Sequence, residues 1–254
     1  MAIEVFNRYE NKYVMDQLAF HTFYNRLLDH MELDAYNRNE RFYTISNLYY
    51  DTGHDELIRT SLARPAYREK LRIRAYGVPG EHEKVYLELK KKVFGLVNKR
   101  RTAMKLSEAY DYVRTKRPPQ LRDGMNGQVM REINYFLQRY DLQPKVYVAY
   151  DRIALFSKES RDLRITFDTN IRSRRDKLLL ESGDDGRPMQ DEGQWLMEVK
   201  AEKTIPVWLA RLLSEHRLFR TRFSKYGNEY RRTVLRVAPG YAGKRMTSRE
   251  GAWT

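Results

Sequence analysis

The stretch that most constrains the fold is residues 66–93, in which two runs of alternating residues flank a short connection containing glycine and proline. This pattern predicts a β-hairpin. Successive side chains of a strand point to opposite faces, so residue parity decides which of them share a face. One face is mostly cationic, with a single carboxylate: Arg68, Lys70, Arg72, Arg74, Lys84, Tyr86, Glu88, Lys90 and Lys92. The other face is apolar: Leu71, Ile73, Ala75, Val85, Leu87 and Leu89.

Three other segments repeat this division between a charged face and an apolar face. They are the N-terminal run with Arg8, Glu10 and Lys12 on one parity, the run 162–174, and the run 194–200. In 162–174 the parity rule groups Arg164, Thr166, Asp168, Asn170, Arg172 and Arg174 on one face. Several predicted helices, including one that begins after Asp16, carry apolar stripes that must be buried. The simplest arrangement packs these helices on the apolar side of the sheet.

The charged side of such a sheet faces either open solvent or the wet interior of a closed barrel, and periodicity alone leaves both possibilities open. A dry, unpaired interior of Arg and Lys is excluded by the cost of burying charge. The formal net charge of +14 indicates an anionic partner, of which nucleic acid is the commonest. The absence of cysteine excludes a disulfide framework and a zinc-thiolate site. With no signal-peptide core and no bilayer-length apolar run, we expect a cytoplasmic protein without a transmembrane segment.

Eight short motifs resemble, in the same order, those of the VTC domain. This domain is the polyphosphate polymerase module of the vacuolar transporter chaperone complex and its bacterial relatives. The motifs are NRYENKY, SNLYYDT, YREKLRIRAYG, YLELKKK, YDRIA, LRITFDTNI, LMEVK and FSKYG, and they extend from about residue 6 to residue 230. The family belongs to the CYTH-like triphosphate tunnel metalloenzymes. The resemblance therefore implies an α+β fold: a closed antiparallel β-barrel tunnel with a basic interior and helices packed on the outside. We expect one domain over residues 1–237, followed by a loose tail over 238–254.

The resemblance also implies which residues form the site. The implied catalytic residues are Arg72, Arg74, Lys90 and Lys225. The implied phosphate-binding residues are Lys12, Arg72, Arg74, Lys90, Arg152, Arg172, Lys200, Ser224 and Lys225, of which Arg172 is included on parity. Glu198 is the implied ligand of a divalent metal, and Glu88 joins it on parity. Many tunnel triphosphatases begin with ExExK, but Arg8 replaces the first of those glutamates here, which favours the VTC branch over a two-carboxylate hydrolytic site.

The implied activity is transfer of the γ-phosphate of ATP to the end of an inorganic polyphosphate chain, with Mn²⁺ or Mg²⁺ as cofactor. ATP and polyphosphate are then the partners, and no specific nucleic acid is expected. Such a transfer needs alignment and charge compensation more than covalent participation by the protein. Arginine forks and lysine point charges supply that compensation. Three alternatives stay open: a tunnel triphosphatase or ATP hydrolase, a non-catalytic polyphosphate receptor, and a nucleic-acid-binding module.

Overall fold

A ten-stranded antiparallel sheet curls into a half-barrel and carries six α-helices in the part of the chain that the structure describes. The computed structural model describes residues 5–37, 42–94, 96–160, 162–202 and 204–236, with side chains from residue 10 onward. The strands are β1 (Val5–Met15), β2 (Met31–Leu33), β3 (Tyr43–Thr52), β4 (Tyr67–Tyr76), β5 (Lys84–Val93), β6 (Leu96–Lys105), β7 (Leu142–Ser157), β8 (Arg164–Arg174), β9 (Arg187–Pro188) and β10 (Trp195–Ala201). The helices are α1 (Gln17–Leu27), α2 (Glu56–Ala63), α3 (Leu106–Thr115), α4 (Gly127–Arg139), α5 (Val207–Glu215) and α6 (Lys225–Thr233). The strand order is β2-β7-β3-β4-β5-β6-β1-β10-β8-β9, and β7 also pairs with β8.

The predicted hairpin is confirmed as β4 and β5, with Leu71 opposite Leu89 and Arg72 opposite Glu88. Its apolar face is fully buried and forms one core with α3 and α4, including Ile133 of α4. Burying each of these leucines contributes about 1.5–3 kcal/mol relative to exposure. The apolar parity therefore faces the helices, as predicted, and the charged parity faces the concave side of the sheet.

Helices α1 and α5 cover the apolar side of β8 and β10 in a second core. The Asp16 carboxylate caps α1 by accepting a hydrogen bond from the Ala19 amide at 2.8 Å, as the sequence predicts. Phe20 of α1 then stacks on Trp195 of β10, with ring centroids 3.6 Å apart. The cap and the stacked rings fix this helix against the sheet.

Helix α6 departs from the predicted arrangement, because it packs against the concave face of the sheet. Tyr226 and Tyr230 of α6 share a buried cluster with Tyr49 and Val148, and Tyr49 lies directly opposite Arg72 on β4. At this end of the sheet β3 and β7 present apolar side chains to the concave side, which gives α6 a surface to cover. The charged surface is therefore confined to the remainder of the concave face.

A bulge in β8 reverses the face of its C-terminal half. The pairing with β7 shifts register between Ala149 and Asp151, and Asn170 adopts a left-handed φ of 48°. A single extra residue moves all following side chains to the other face. Ile171 therefore joins the concave cluster with Tyr226, and the predicted grouping of Arg172 with Arg164 on one face is wrong.

Two sequence predictions concern the ends of the chain and its relation to membranes. The predicted loose tail, residues 238–254, lies outside the described residues, and the domain boundary at residue 237 stays a prediction. Among the helices described, none has both the length and the apolar character needed to cross a bilayer.

Candidate functional site

The concave side holds a cavity of about 870 Å³ that is lined mainly by cations. The carboxylates among its described lining residues are Glu10 and Glu198. The lining lysines and arginines come from seven strands, the C-terminal end of α2, the irregular segment before α6, and α6 itself. They are Lys12, Arg64, Arg68, Lys70, Arg72, Arg74, Lys90, Lys92, Lys99, Arg152, Arg164, Lys200, Arg220, Arg222, Lys225 and Arg231. So many like charges in one concave space produce a strong positive potential, which favours a polyanion.

Arg72 and Arg74 are held in place by groups in the wall of the cavity. The Arg72 Nε and Nη2 atoms donate to one oxygen of Glu88 at 2.8 and 2.7 Å. Arg74 donates from Nε to the Asn47 side-chain oxygen at 3.0 Å and from Nη2 to the Tyr150 hydroxyl at 3.2 Å. These bonds orient both guanidinium groups before any ligand arrives, which lowers the entropic cost of binding phosphate.

Glu88 lies behind these arginines and is 1% exposed. Its second oxygen accepts a hydrogen bond from Lys99 Nζ at 3.1 Å. Burial alone raises the pKa of a carboxyl group, but the nearby Arg74, Lys99 and Arg72 hold the pKa of Glu88 well below its usual range. Because Glu88 is buried in the wall and is not among the residues that line the cavity, the geometry does not fit its predicted role as a metal ligand.

Glu198 of β10 is surrounded by cations at the centre of the cavity. Its Oε1 lies 3.0 Å from Lys12 Nζ and 3.5 Å from Lys225 Nζ. Its Oε2 lies 2.6 Å from Lys200 Nζ and 3.8 Å from Arg152 Nη2. Burial alone raises its pKa, but these cations hold the pKa of Glu198 well below its usual range, so the group is an anion at neutral pH.

A second buried carboxylate, Asp168, fixes the neighbouring cations. Arg152 binds both of its oxygens, and Lys225 Nζ lies 2.5 Å from one of them. Lys225 Nζ also lies 4.1 Å from the centre of the Tyr150 ring. Burial raises the pKa of Tyr150, but Arg74, Arg152 and Lys225 outweigh it and lower that pKa to about 8.

The N-terminus of α6 opens onto the cavity. The Ser224 hydroxyl accepts a hydrogen bond from the Gly227 amide at 3.2 Å, which makes Ser224 the N-cap of α6. Lys70 Nζ donates to the same hydroxyl at 3.2 Å. The preceding segment is tied to β1, because the Thr221 amide donates to the Lys12 carbonyl at 2.7 Å. The amides of a helix N-terminus add to the attraction for an anion.

The structure brings most of the predicted site residues together. The ones that line the cavity are Lys12, Arg72, Arg74, Lys90, Arg152, Glu198, Lys200, Ser224 and Lys225. Arg172 is not among the lining residues, because the bulge turns it outward. It donates instead to the Asp184 carboxylate at 2.5 Å and to Asp151 at 3.3 Å. Its contacts therefore make Arg172 an anchor for the loop after β8, which corrects its predicted place in the phosphate site.

The sequence profile of the VTC domain matches residues 7–234 of this chain. This protein belongs to the VTC domain family. Among curated proteins none matches the sequence significantly.

Solved structures with low sequence identity superpose on this VTC domain over most of its length. A putative adenylate cyclase from Bacillus halodurans superposes with a TM-score of 0.55 at 13% identity, over 91% of this chain and 100% of that one. A putative adenylyl cyclase from Hippeastrum, described as having a dominant triphosphatase activity, gives a TM-score of 0.49 at 13% identity, over 88% of this chain and 93% of that one. The TM-score of the first of these shows that the two chains share a fold.

Several residues that line or adjoin the cavity of this VTC domain were not predicted as site residues from the sequence. Lys70 lies on the same parity as Arg72 and Arg74, so alternation was a sufficient signal for it. Lys99 stands in a run of three cations, Lys99 to Arg101, in which alternation does not indicate a face. Arg220 and Arg222 lie in an irregular segment after α5, where no periodicity predicts a face. Tyr150 alternates like any core residue of β7, and only its contacts with Arg74 and Lys225 distinguish it.

The carboxylates of this VTC domain fit a divalent cation only in part. Within the described residues, no group of three or more His, Asp or Glu side chains is arranged to hold a metal ion. Glu198 and Glu10 are the carboxylates that reach the cavity, and Lys12 Nζ lies 3.0 and 3.2 Å from them. Mg²⁺ and Mn²⁺ accept one or two carboxylates when phosphate oxygens and waters complete the shell. The site therefore fits a metal that arrives with a phosphate ligand.

Anion binding by this VTC domain is expected to weaken as the pH rises above 7. Burial and the nearby positive charges of Lys90 and Lys12 lower the pKa of Lys70 to about 7. Burial also lowers the pKa of Lys99 to about 7, although the neighbouring Glu88 carboxylate acts in the opposite direction. Both lysines are charged below pH 7 and neutral above it, and a bound polyanion favours the charged form. Affinity for tripolyphosphate without metal therefore falls between pH 7 and 9, by up to about tenfold per pH unit for each lysine that must take up a proton.

Calorimetric titration with tripolyphosphate from pH 6 to pH 9 measures this slope. The double substitution Lys70→Met and Lys99→Met is expected to weaken binding at pH 6 and to flatten the slope. Protonation of the ligand itself contributes equally to the pH dependence of binding by both proteins. The difference in slope therefore measures the contribution of the two lysines. Lys84→Met, at an exposed position at the start of β5, serves as the control. Identical slopes for the double variant and the wild type would contradict the prediction.

Proposed function

We propose that this protein is a polyphosphate polymerase that transfers the γ-phosphate of ATP to the end of an inorganic polyphosphate chain. The observation that carries the proposal is the cavity, in which fixed arginines and lysines from separate strands surround one space with few carboxylates. Membership of the VTC domain family supports it. We further propose that the reaction takes place in the cytoplasm.

We also propose that the curled sheet closes into a tunnel. The pairing of β7 with β8 supports closure, because β7 pairs with β3 on its other edge and β8 pairs with β10. Successive pairings thereby lead from β7 through β3, β4, β5, β6, β1, β10 and β8 back to β7. A closed tunnel suits a linear polyanion, because phosphates along the chain meet cations on all sides.

The proposed reaction breaks the bond between the γ-phosphorus and the bridging oxygen of ATP, which leaves with ADP. A terminal oxygen of the polyphosphate chain forms the new bond to the γ-phosphorus, so the chain grows by one phosphate. Arg72 and Arg74 donate forked hydrogen bonds to the transferring phosphate, while Lys90 and Lys225 offset the charge on donor and acceptor. Such transfers depend on alignment and charge stabilisation, and one fixed donor commonly contributes a factor of about 10²–10³ in rate.

Mg²⁺ or Mn²⁺ is the proposed cofactor, with Glu198 and then Glu10 as the residues that would hold it. When bound, the metal would neutralise charge on the phosphates. Lys12 lies between the two carboxylates and keeps both ionised, since it contributes to the lowered pKa values of Glu10 and Glu198. Both carboxylates are therefore ionised at neutral pH, as ligands of a divalent metal must be.

The pairing of the carboxylates favours transfer to a chain over transfer to water. Hydrolysis needs a base that positions and activates water, and a carboxylate is the usual choice in a phosphate site. Glu10 pairs with Lys12 and Lys90, Glu198 with four cations, and Asp168 with Arg152 and Lys225. None of these three carboxylates is left to act as a base, whereas the terminal phosphate of a chain already carries its own negative charge.

Incubation with ATP and Mn²⁺ or Mg²⁺, followed by gel separation of polymers and measurement of free phosphate, tests the proposal. We expect a ladder of polyphosphate chains and an equivalent amount of ADP. Free phosphate without chains would contradict the polymerase and identify a hydrolase. Binding of polyphosphate without turnover would identify a receptor. Filter binding completes the test, because a nucleic acid that polyphosphate cannot displace would refute the proposed substrate.

A further inference from the structure

Four tyrosines, Tyr36, Tyr43, Tyr76 and Tyr86, form a cluster of rings beside the cavity that the proposed reaction does not use. We call this cluster the tyrosine collar. The Tyr36 and Tyr76 rings are stacked, with centroids 5.9 Å apart and planes inclined by 9°. Tyr43 lies 6.0 Å from both of these rings, and Tyr86 meets Tyr76 edge-on at 6.0 Å. The four rings therefore form one continuous aromatic surface.

The collar adjoins the phosphate cavity through directly paired strand residues. Tyr86 on β5 lies opposite Arg74 on β4, and Tyr43 on β3 lies opposite Arg152 on β7. Tyr76 follows Arg74 by two residues on the same strand, so their Cα atoms are about 7 Å apart on one face. An anion gripped by Arg74 and Arg152 therefore has an aromatic surface within a few ångströms of its end.

A polar link also connects the collar to the cavity. The Asp34 carboxylate accepts a hydrogen bond from the Tyr36 amide at 3.2 Å and lies 3.1 Å from Arg164, which lines the cavity. Arg101 lies 4.9 Å from the centre of the Tyr86 ring. Two arginines therefore lie close to the collar, and one of them, Arg164, lines the cavity.

Two of the rings remain available to a ligand. Tyr36 is 70% exposed and Tyr76 is 44% exposed, although each packs on other rings. Core tyrosines of this chain, such as Tyr147, are fully buried instead. An exposed aromatic surface next to a polyphosphate site matches a ligand that has a flat ring at one end and phosphates at the other.

We infer that the tyrosine collar stacks the base of the nucleoside triphosphate while its phosphates reach Arg74 and Arg152 in the cavity. The inference rests on the proposed function and adds a base-binding site to it. It also gives the nucleotide a direction, because the base lies at the collar end of the cavity. Inorganic tripolyphosphate lacks a ring, so it binds the same cations without the collar.

The double substitution Tyr36→Ala and Tyr76→Ala tests the inference by calorimetric titration with ATP and, separately, with tripolyphosphate. Stacking of one base on aromatic side chains contributes enough binding free energy to change the dissociation constant by about tenfold. We expect ATP to bind about tenfold more weakly to the variant and tripolyphosphate to bind within twofold of wild type. Tyr36→Phe and Tyr76→Phe keep the rings and are expected to retain the affinity for ATP.

Tyr135→Ala is the matched control, since Tyr135 on α4 is 71% exposed and lies among neither the collar nor the cavity residues. Equal affinity of the wild type and the double variant for ATP would overturn the inference. An equal loss for both ligands would also overturn it, because it would show that the collar only supports the cavity. Failure of the proposed function has a different signature: the wild type would bind ATP through the collar yet make no polyphosphate. A wild type that binds neither ligand would refute both.

Discussion

Replacing Arg72 and Arg74 together by alanine is expected to lower polyphosphate synthesis at least a hundredfold. Both guanidinium groups are fixed by Glu88, Asn47 and Tyr150 and line the cavity. Loss of one fixed donor to a developing charge commonly costs a factor of about 10²–10³ in rate. Gel separation of chains made from ATP by the two proteins measures the effect.

The control for this variant is Arg100→Ala. Arg100 lies on β6, its side chain is 17% exposed against 16% for Arg72, and it pairs with Glu132 on the opposite face of the sheet. Arg100→Ala therefore removes an arginine that is buried to the same extent but lies outside the cavity, and it is expected to retain synthesis within about twofold.

Lys90→Met is a second test that disturbs the wall less, because the Lys90 side chain is 37% exposed. Equal synthesis by the wild type, the double variant and Lys90→Met would remove these residues from the mechanism.

Replacing Glu88 by glutamine is expected to lower the free energy of unfolding by about 3–5 kcal/mol at pH 7. The substitution removes the anion that pairs with Arg72, Arg74 and Lys99 in the wall, and breaking a buried pair has this typical cost. The pKa of Glu88 is lowered in the folded protein. Its stabilising contribution is therefore complete above the ordinary glutamate pKa of 4.5, begins to decrease below that value, and is lost only as the pH falls through the much lower pKa of the folded protein. Urea denaturation at pH 7 measures the cost of the substitution, and a smaller difference between wild type and variant at pH 4 shows the beginning of the loss.

Glu132→Gln is the control for this prediction. Glu132 also pairs with a lysine and an arginine, but its side chain is 23% exposed, so its loss is expected to cost less than about 1 kcal/mol. Equal costs for the two substitutions would contradict the role assigned to Glu88. A Glu88→Gln protein that keeps its stability but needs far more Mg²⁺ for chain synthesis would restore Glu88 as a metal ligand.

Alternation along the strands was enough to predict which faces of the sheet are charged. Leu71, Ile73 and Leu87 are buried against α3 and α4, and Arg72, Arg74 and Lys90 line the cavity, as their parity requires. The rule works because a strand has a side-chain period of two wherever its pairing is regular. It fails at Asn170, where an extra residue reverses the face and takes Arg172 away from the site.

The sequence could not show which charges are paired. Glu88 and Glu198 both lie on charged faces by parity, yet Glu88 is covered by two arginines and a lysine while Glu198 reaches the cavity. The difference depends on cross-strand neighbours that are distant in sequence. The same limit applies to Arg220 and Arg222, whose irregular segment is positioned by a backbone contact with β1.

The sequence by itself determined the strands, their apolar and charged faces, and the family to which the chain belongs. These depend on local periodicity and on short motifs, which one chain displays directly. Only the tertiary structure decided that α6 fills one end of the concave face, that Glu88 fixes the arginines, and that four tyrosines adjoin the cavity. Each of these depends on contacts between segments far apart in the chain, and such contacts exist only once the sheet has curled.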